Sequence, residues 1–101
     1  MNVPEKRRAK RRRTVNTLEI YNEDGWEVLG VGRLLDFSAS GALIESLLHL
    51  PLGETFRLGV RLPNKPPLEL TVRVVRMRQK QSSILYGVQF VHLPGAQGIA
   101  A

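Results

Sequence analysis

From Thr14 onward apolar and polar positions alternate with a period of two, the repeat of a strand that buries one face. "TVNTLEIYN" (14–22) is rich in β-branched residues and leads into Asp24-Gly25, a dipeptide suited to a tight hairpin turn. "WEVLGVGRLLD" (26–36) reads as the returning strand, and "GALIES" (41–46) as a third after a polar break. "LPLGE" (50–54) and "NKPP" (64–67) are turn signals flanking "TFRLGVRLP" (55–63), which lines up Phe56, Leu58, Val60 and Leu62 on one face. "LELTVRVVRMR" (68–78) does the same with Leu68, Leu70, Val72 and Val74. It then changes phase, with Val75 and Met77 continuing the apolar set. A phase change inside one strand predicts a β-bulge, the device that bends barrel strands. "ILYGVQFVH" (84–92) closes the series with Ile84, Tyr86, Val88 and Phe90. Six short strands punctuated by turns predict an all-β antiparallel barrel or sandwich. No segment sustains a helical period, and residues 94–101, with little to build a helix, read as a frayed tail.

A chain of 101 residues is expected to form one domain, and 43% hydrophobic residues are enough for a modest core. With no cysteine, disulfides and thiolate metal sites are excluded. The apolar runs are too short for a membrane span, and no apolar segment follows the basic N-terminus as in a secretory signal, so a cytoplasmic protein is expected. Charge divides the chain sharply. Lys6–Arg13 hold seven basic side chains in eight residues, and residues 1–13 carry the whole net charge of +6. The remaining eight basic and eight acidic groups cancel. Residues 1–13 therefore read as a basic arm, 14–93 as the β-domain. The arm has too little apolar surface to order itself, so it is expected to be flexible until an anionic partner meets it.

Catalytic constellations are missing from the sequence. There is no phosphate loop, Gly30 and Gly32 lie inside a strand pattern, and Ser38 lacks a nucleophile-elbow context. His49 and His92 read as surface or strand-edge residues, the carboxylates are scattered, and neither an enzyme nor a metal or cofactor site is expected.

"DFSASG" (36–41) has two readings. As a plain loop, Asp36 and Ser38 would bond nearby backbone and Gly41 would supply a positive φ. As half of a site, alternation would aim Asp36 and Ser38 the same way, and Gly41 would let a ligand approach the backbone. The basic arm adds two overlapping RxxxR frames, Arg7 to Arg11 and Arg8 to Arg12. RxxxR followed by a complete DxSxxG (Asp36, Ser38, Gly41), framing a hairpin, resembles the signature of the PilZ domain, a bacterial receptor module for cyclic di-GMP. "GRLLDFSASGALIES", "LPLGETFRLGVRLP" and "YGVQFVHL" also resemble strands of that family, and the resemblance spans about residues 5–93.

The resemblance implies a six-stranded barrel and a cyclic di-GMP site made of Arg7, Arg8, Arg11, Arg12, Asp36, Ser38 and Gly41. It also implies an effector that changes arm conformation and signals to a protein partner, in motility, exopolysaccharide, pilus or virulence control. A monomer or weak dimer is expected. The residue types suit the ligand. Arginine forks onto phosphate, matches the O6/N7 edge of guanine and stacks on bases, while a carboxylate accepts from guanine N1–H and N2–H₂. Two other readings are a basic-armed barrel that binds nucleic acid and a PilZ-like adaptor that binds no nucleotide. Against the first, the body is neutral, and Trp26, Tyr21, Phe56, Tyr86 and Phe90 fall mostly on apolar alternations and read as core, not as a stacking platform.

Overall fold

The computed structural model describes residues 12–91, with side chains from residue 16 onward. Six strands, β1 (Arg12–Tyr21), β2 (Val28–Phe37), β3 (Gly41–Ser46), β4 (Thr55–Val60), β5 (Leu68–Gln79) and β6 (Ile84–Phe90), close into an antiparallel barrel of order β1-β2-β3-β6-β5-β4. Closure comes from β1 pairing with β4, from Leu18 opposite Val60 to Tyr21 opposite Arg57. Every strand expected from the period-two pattern is present. β1 starts earlier than that pattern: its backbone pairs Arg12 with Phe37 and Arg13 with Asp36, inside the basic run. The tail at 94–101 and its expected lack of a helix lie outside the described residues.

The alternating residues build the interior. Leu18, Ile20, Ile44, Leu58, Val60, Val72, Val74 and Tyr86 are almost fully buried, and each buried aliphatic side chain of this size contributes about 1.5–3 kcal/mol. Tyr86 carries a polar tip into this core and satisfies it at the barrel end. Its hydroxyl donates to the Leu48 carbonyl (2.6 Å) and accepts from the Leu50 N–H (2.9 Å). Those bonds hold the segment after β3 across the barrel mouth, where Leu50 is buried.

The β1–β2 hairpin turns where Asp24-Gly25 predicts. Gly25 takes φ +80, the left-handed region that a side chain resists. The Asp24 carboxylate accepts from the Trp26 N–H and the Asn22 side-chain oxygen from the Glu27 N–H. Trp26 is not core: it is 87% exposed. It sits in the turn, before β2 begins, where no strand lies over it. Phe56 and Tyr86 are buried as expected, and Phe90 packs against the core.

The phase change in β5 is a register shift against β6 between Val74 and Arg76. Before it Val72 and Val74 point inward. After it Val75 and Met77 are partly exposed, 43% and 38%, instead of extending the core, because the bulge rotates the end of the strand out of the barrel.

Candidate functional site

Beside the β2–β3 turn lies an open depression of about 900 Å³. Asp36, Phe37, Ser38 and Ser40 form one wall, Gly41 to Leu43 and the outer face of β6 the floor, and β5 from Val75 to Arg78 the other wall. Two bulges shape it. β2 and β3 slip register between Leu34 and Asp36, re-aiming the strand at the acidic residue. The β5 shift swings Arg76 opposite Gly87 and Arg78 opposite Leu85, on the outside of the barrel.

Three of the expected site residues meet here. Asp36 is 9% exposed at the end of β2, and Ser38 follows in the turn. The turn is tight: the Ser38 N–H donates to the Gly41 carbonyl (2.9 Å), and the Ser40 N–H reaches the Ser38 hydroxyl (3.4 Å). The Ser40 carbonyl accepts from the Phe90 N–H, tying the turn to the end of β6.

Gly41 lines the depression and also has a part that neither expectation included. It is not among the residues with positive φ. A Cβ there would collide with the carbonyl oxygen of Val88. The backbone that approaches Gly41 is thus β6 of this chain, and the glycine permits close β3–β6 pairing under the depression.

Arg12 enters the site through its backbone alone among the described atoms, pairing with Phe37 at the rim. Arg7, Arg8 and Arg11 lie outside the described residues. β1 nevertheless delivers the chain from the basic run to this rim, since Arg13 pairs with Asp36.

Two residues of the site were absent from the sequence-based set. Arg76 and Arg78 line the same depression as Asp36 and Ser38, and neither has a carboxylate partner among the described residues. Arg76 lies over Gly87, where an added methyl would meet its Cβ at 3.3 Å and Nε at 3.5 Å. The neutral body therefore does hold a local basic wall. Its signal was the "RMR" alternation after the phase change in β5, which puts both arginines on the face opposite the core.

Two carboxylates away from the depression, Glu45 and Glu19, are held in ion pairs. Glu45 binds Arg33 (2.5 Å) and accepts from the Ser83 hydroxyl (2.6 Å), with Lys80 at 3.8 Å. The Ser83 bond and then the Arg33 guanidinium hold its pKa below the ordinary value. Glu19 is likewise lowered, by the Tyr21 hydroxyl and Arg61. His49 is exposed, and no cluster of three metal-ligating side chains occurs among the described residues. No helix among the described residues is long and apolar enough to cross a membrane.

The arrangement sets a carboxylate and a hydroxyl on one wall and two guanidiniums on the other, with apolar Leu43 and Leu85 between. It suits a ligand that combines anionic groups with flat, hydrogen-bonding rings. The family model described as PilZ domain matches residues 5–100. The structure is similar to the Bacillus subtilis inhibitor of motility MotI/DgrA, with TM-score 0.67 and 21% identity over 89% of this chain. The match covers 44% of that protein, so the chain spans under half its length. The structure is also similar to the PilZ domain of CeSA from a cellulose-synthesizing bacterium, with TM-score 0.63 and 18% identity, covering 89% of this chain and 87% of that one. At these identities the structural likeness speaks to the fold. No curated protein matches by sequence.

Proposed function

The chain belongs to the PilZ domain family, and we propose that it binds cyclic di-GMP in the depression beside Asp36 and signals occupancy to a protein partner. One observation supports this reading: Asp36 and Ser38 of the DxSxxG turn line one depression with Arg76 and Arg78, at the rim where β1 brings in the basic run. Asp36 accepts from the guanine N1–H and N2–H₂, and Ser38 adds a bond to base or phosphate. Arg76 and Arg78 take phosphate or stack on the second base. From the open side, Arg7, Arg8, Arg11 and Arg12 close over the ligand, in either RxxxR frame. Two ligand phosphates offset the repulsion within that segment, and ordering it creates the surface a partner reads. The reaction class is binding, with no bond made or broken. A nucleotide messenger of bacterial cytoplasm implies a cytoplasmic domain.

Phe56 and Tyr86 are buried and so unavailable to stack on bases, which weighs against the nucleic-acid reading. Calorimetric titration with cyclic di-GMP, cyclic di-AMP and GTP tests the proposal. Saturable heat with cyclic di-GMP and little with the other two is expected. Equal heats for the two cyclic dinucleotides, or none, overturn it. A steeply salt-dependent response to any oligonucleotide would favour the basic-arm reading instead.

A further inference from the structure

β5 outruns one of its two neighbours. It pairs with β6 as far as Gln79 opposite Ile84, but on its other side the last partner in β4 is Thr55, opposite Arg73. The segment before β4 adds two bonds at Val74, whose N–H donates to the Glu54 carbonyl and whose carbonyl accepts from the Gly53 N–H. That segment then turns away, with the Glu54 N–H bonded back to the Pro51 carbonyl. Among the described residues, positions 75–79 therefore form an open strand edge, roughly 13 Å from end to end. Hydrogen-bond direction fixes which groups it offers. The Lys80 N–H donates to the Ser83 carbonyl, so Lys80, and by alternation Arg78 and Arg76, turn their backbone toward β6. Met77 and Gln79 turn theirs outward, and their N–H and C=O groups have no backbone partner among the described residues. The Gln79 side chain leaves them uncovered, because it is folded into its own turn and donates to the Lys80 and Ser83 carbonyls. A row of exposed, unpaired backbone groups is a template for another strand.

The side chains of the edge select the strand. Arg76 and Arg78 stand on the outer face opposite Gly87 and Leu85, exposed and without a carboxylate partner among the described residues. Met77 lies opposite the buried Tyr86, on the other face, with its own apolar side chain partly exposed. A strand added here sets alternate side chains beside the two arginines and the rest beside Met77. Acidic residues suit the first set and apolar residues the second. A lysine-bearing strand is repelled. So is a second copy of this chain, because pairing two β5 edges about Met77 sets Arg76 of one copy against Arg78 of the other.

We propose that the β5 edge from Val75 to Gln79 takes up, as an added strand, an extended segment of a protein partner in which acidic and apolar residues alternate. Main-chain bonds from Met77 and Gln79 hold the segment, and Arg76 and Arg78 select its charge. The contact does not rest on the nucleotide reading and needs no nucleotide.

The probe is a capped peptide alternating glutamate and valine, titrated into the isotope-labelled full chain without nucleotide and followed by NMR. Saturable shifts at residues 75–79 are expected, with hydrogen exchange slowed at the Met77 and Gln79 amides, the two that gain acceptors. The same peptide with lysine for glutamate is expected to bind about tenfold or more weakly. Reversing both charges, Arg76→Glu with Arg78→Glu, is expected to invert that preference. Met77→Pro is expected to remove binding and keep the β6 pairing, because the N–H it deletes is one that faces outward. Circular dichroism checks that both variants fold, and the wild-type amide measurement depends on neither. No binding up to millimolar peptide, or equal binding of the glutamate and lysine peptides, would overturn the proposal. So would a glutamate peptide that binds while the Met77 and Gln79 amides exchange as before, since it then sits on some other basic part of the chain.

Discussion

The carbonyl oxygen of Val88 occupies the space that a Cβ on Gly41 would need. The glycine of the DxSxxG pattern therefore permits strand pairing in this chain, and its carbonyl also holds the Ser38 N–H. Gly41→Ala is expected to destabilise the fold by about 1–3 kcal/mol, because the clash is with backbone and no rotamer relieves it. Chemical denaturation would measure this. Unchanged stability with lost ligand binding would instead return Gly41 to the role of a direct ligand contact.

Asp36 and Ser38 should behave in the opposite way. Asp36→Ala is expected to abolish cyclic di-GMP binding while the domain stays folded, since the barrel's apolar core is assembled without this carboxylate. Asp36→Asn presents one acceptor and one donor to the guanine N1–H and N2–H₂, both donors, and should weaken binding about tenfold or more. Titration calorimetry alongside thermal unfolding checks both. Normal binding by Asp36→Ala would leave the turn as no more than a loop.

Arg76 should matter through its shape as well as its charge. Arg76→Ala is expected to weaken cyclic di-GMP binding by about 1–3 kcal/mol, and Arg76→Lys to recover only part, because an ammonium neither forks onto a base edge nor stacks. Arg73, exposed on the same strand but outside the depression, serves as the control and should tolerate alanine. Equal losses at the two positions would indicate a general electrostatic effect, with no seat for the ligand at Arg76.

Glu45 gives the fold a pH dependence. Its folded-state pKa is depressed below the ordinary 4.5 by the Ser83 hydroxyl and Arg33. A depressed carboxylate stabilises the folded state above its unfolded pKa, and that stabilisation is lost as pH falls through the folded value. Glu19, depressed by Tyr21 and Arg61, acts in the same direction. The melting temperature is thus expected to drop as pH is lowered through and below the ordinary carboxylate range. In Glu45→Gln the drop should be smaller and the neutral-pH melting temperature lower. An identical pH profile in wild type and variant would show the network to be without effect.

Much of this was legible in the residues. Alternation located all six strands, Asp24-Gly25 located the first turn, and the misfit between Val74 and Val75 located the β5 bulge. Alternation reports which side of a strand a residue takes, and it is silent on what covers that side. Trp26 stands in phase with Val28, yet the turn carries both beyond the part of the barrel that could bury them. Arg76 and Arg78 were hidden for a related reason. Assigning them to a shared wall with Asp36 requires knowing that β5 and β3 both flank β6, a non-consecutive neighbour relation that no local pattern encodes. The collision behind Gly41 is likewise between strands more than forty residues apart.

The chain enters and leaves the barrel at one rim. β1 begins with Arg12 opposite Phe37, and β6 ends with Phe90 bonded to Ser40, on either side of the turn that holds Asp36 and Ser38. Such a domain can be spliced into a host protein as a cassette, with both junctions flanking the depression. Placed between the halves of a split fluorescent reporter, it would put both junctions beside the depression, so that a change in their spacing on occupancy could be read as light.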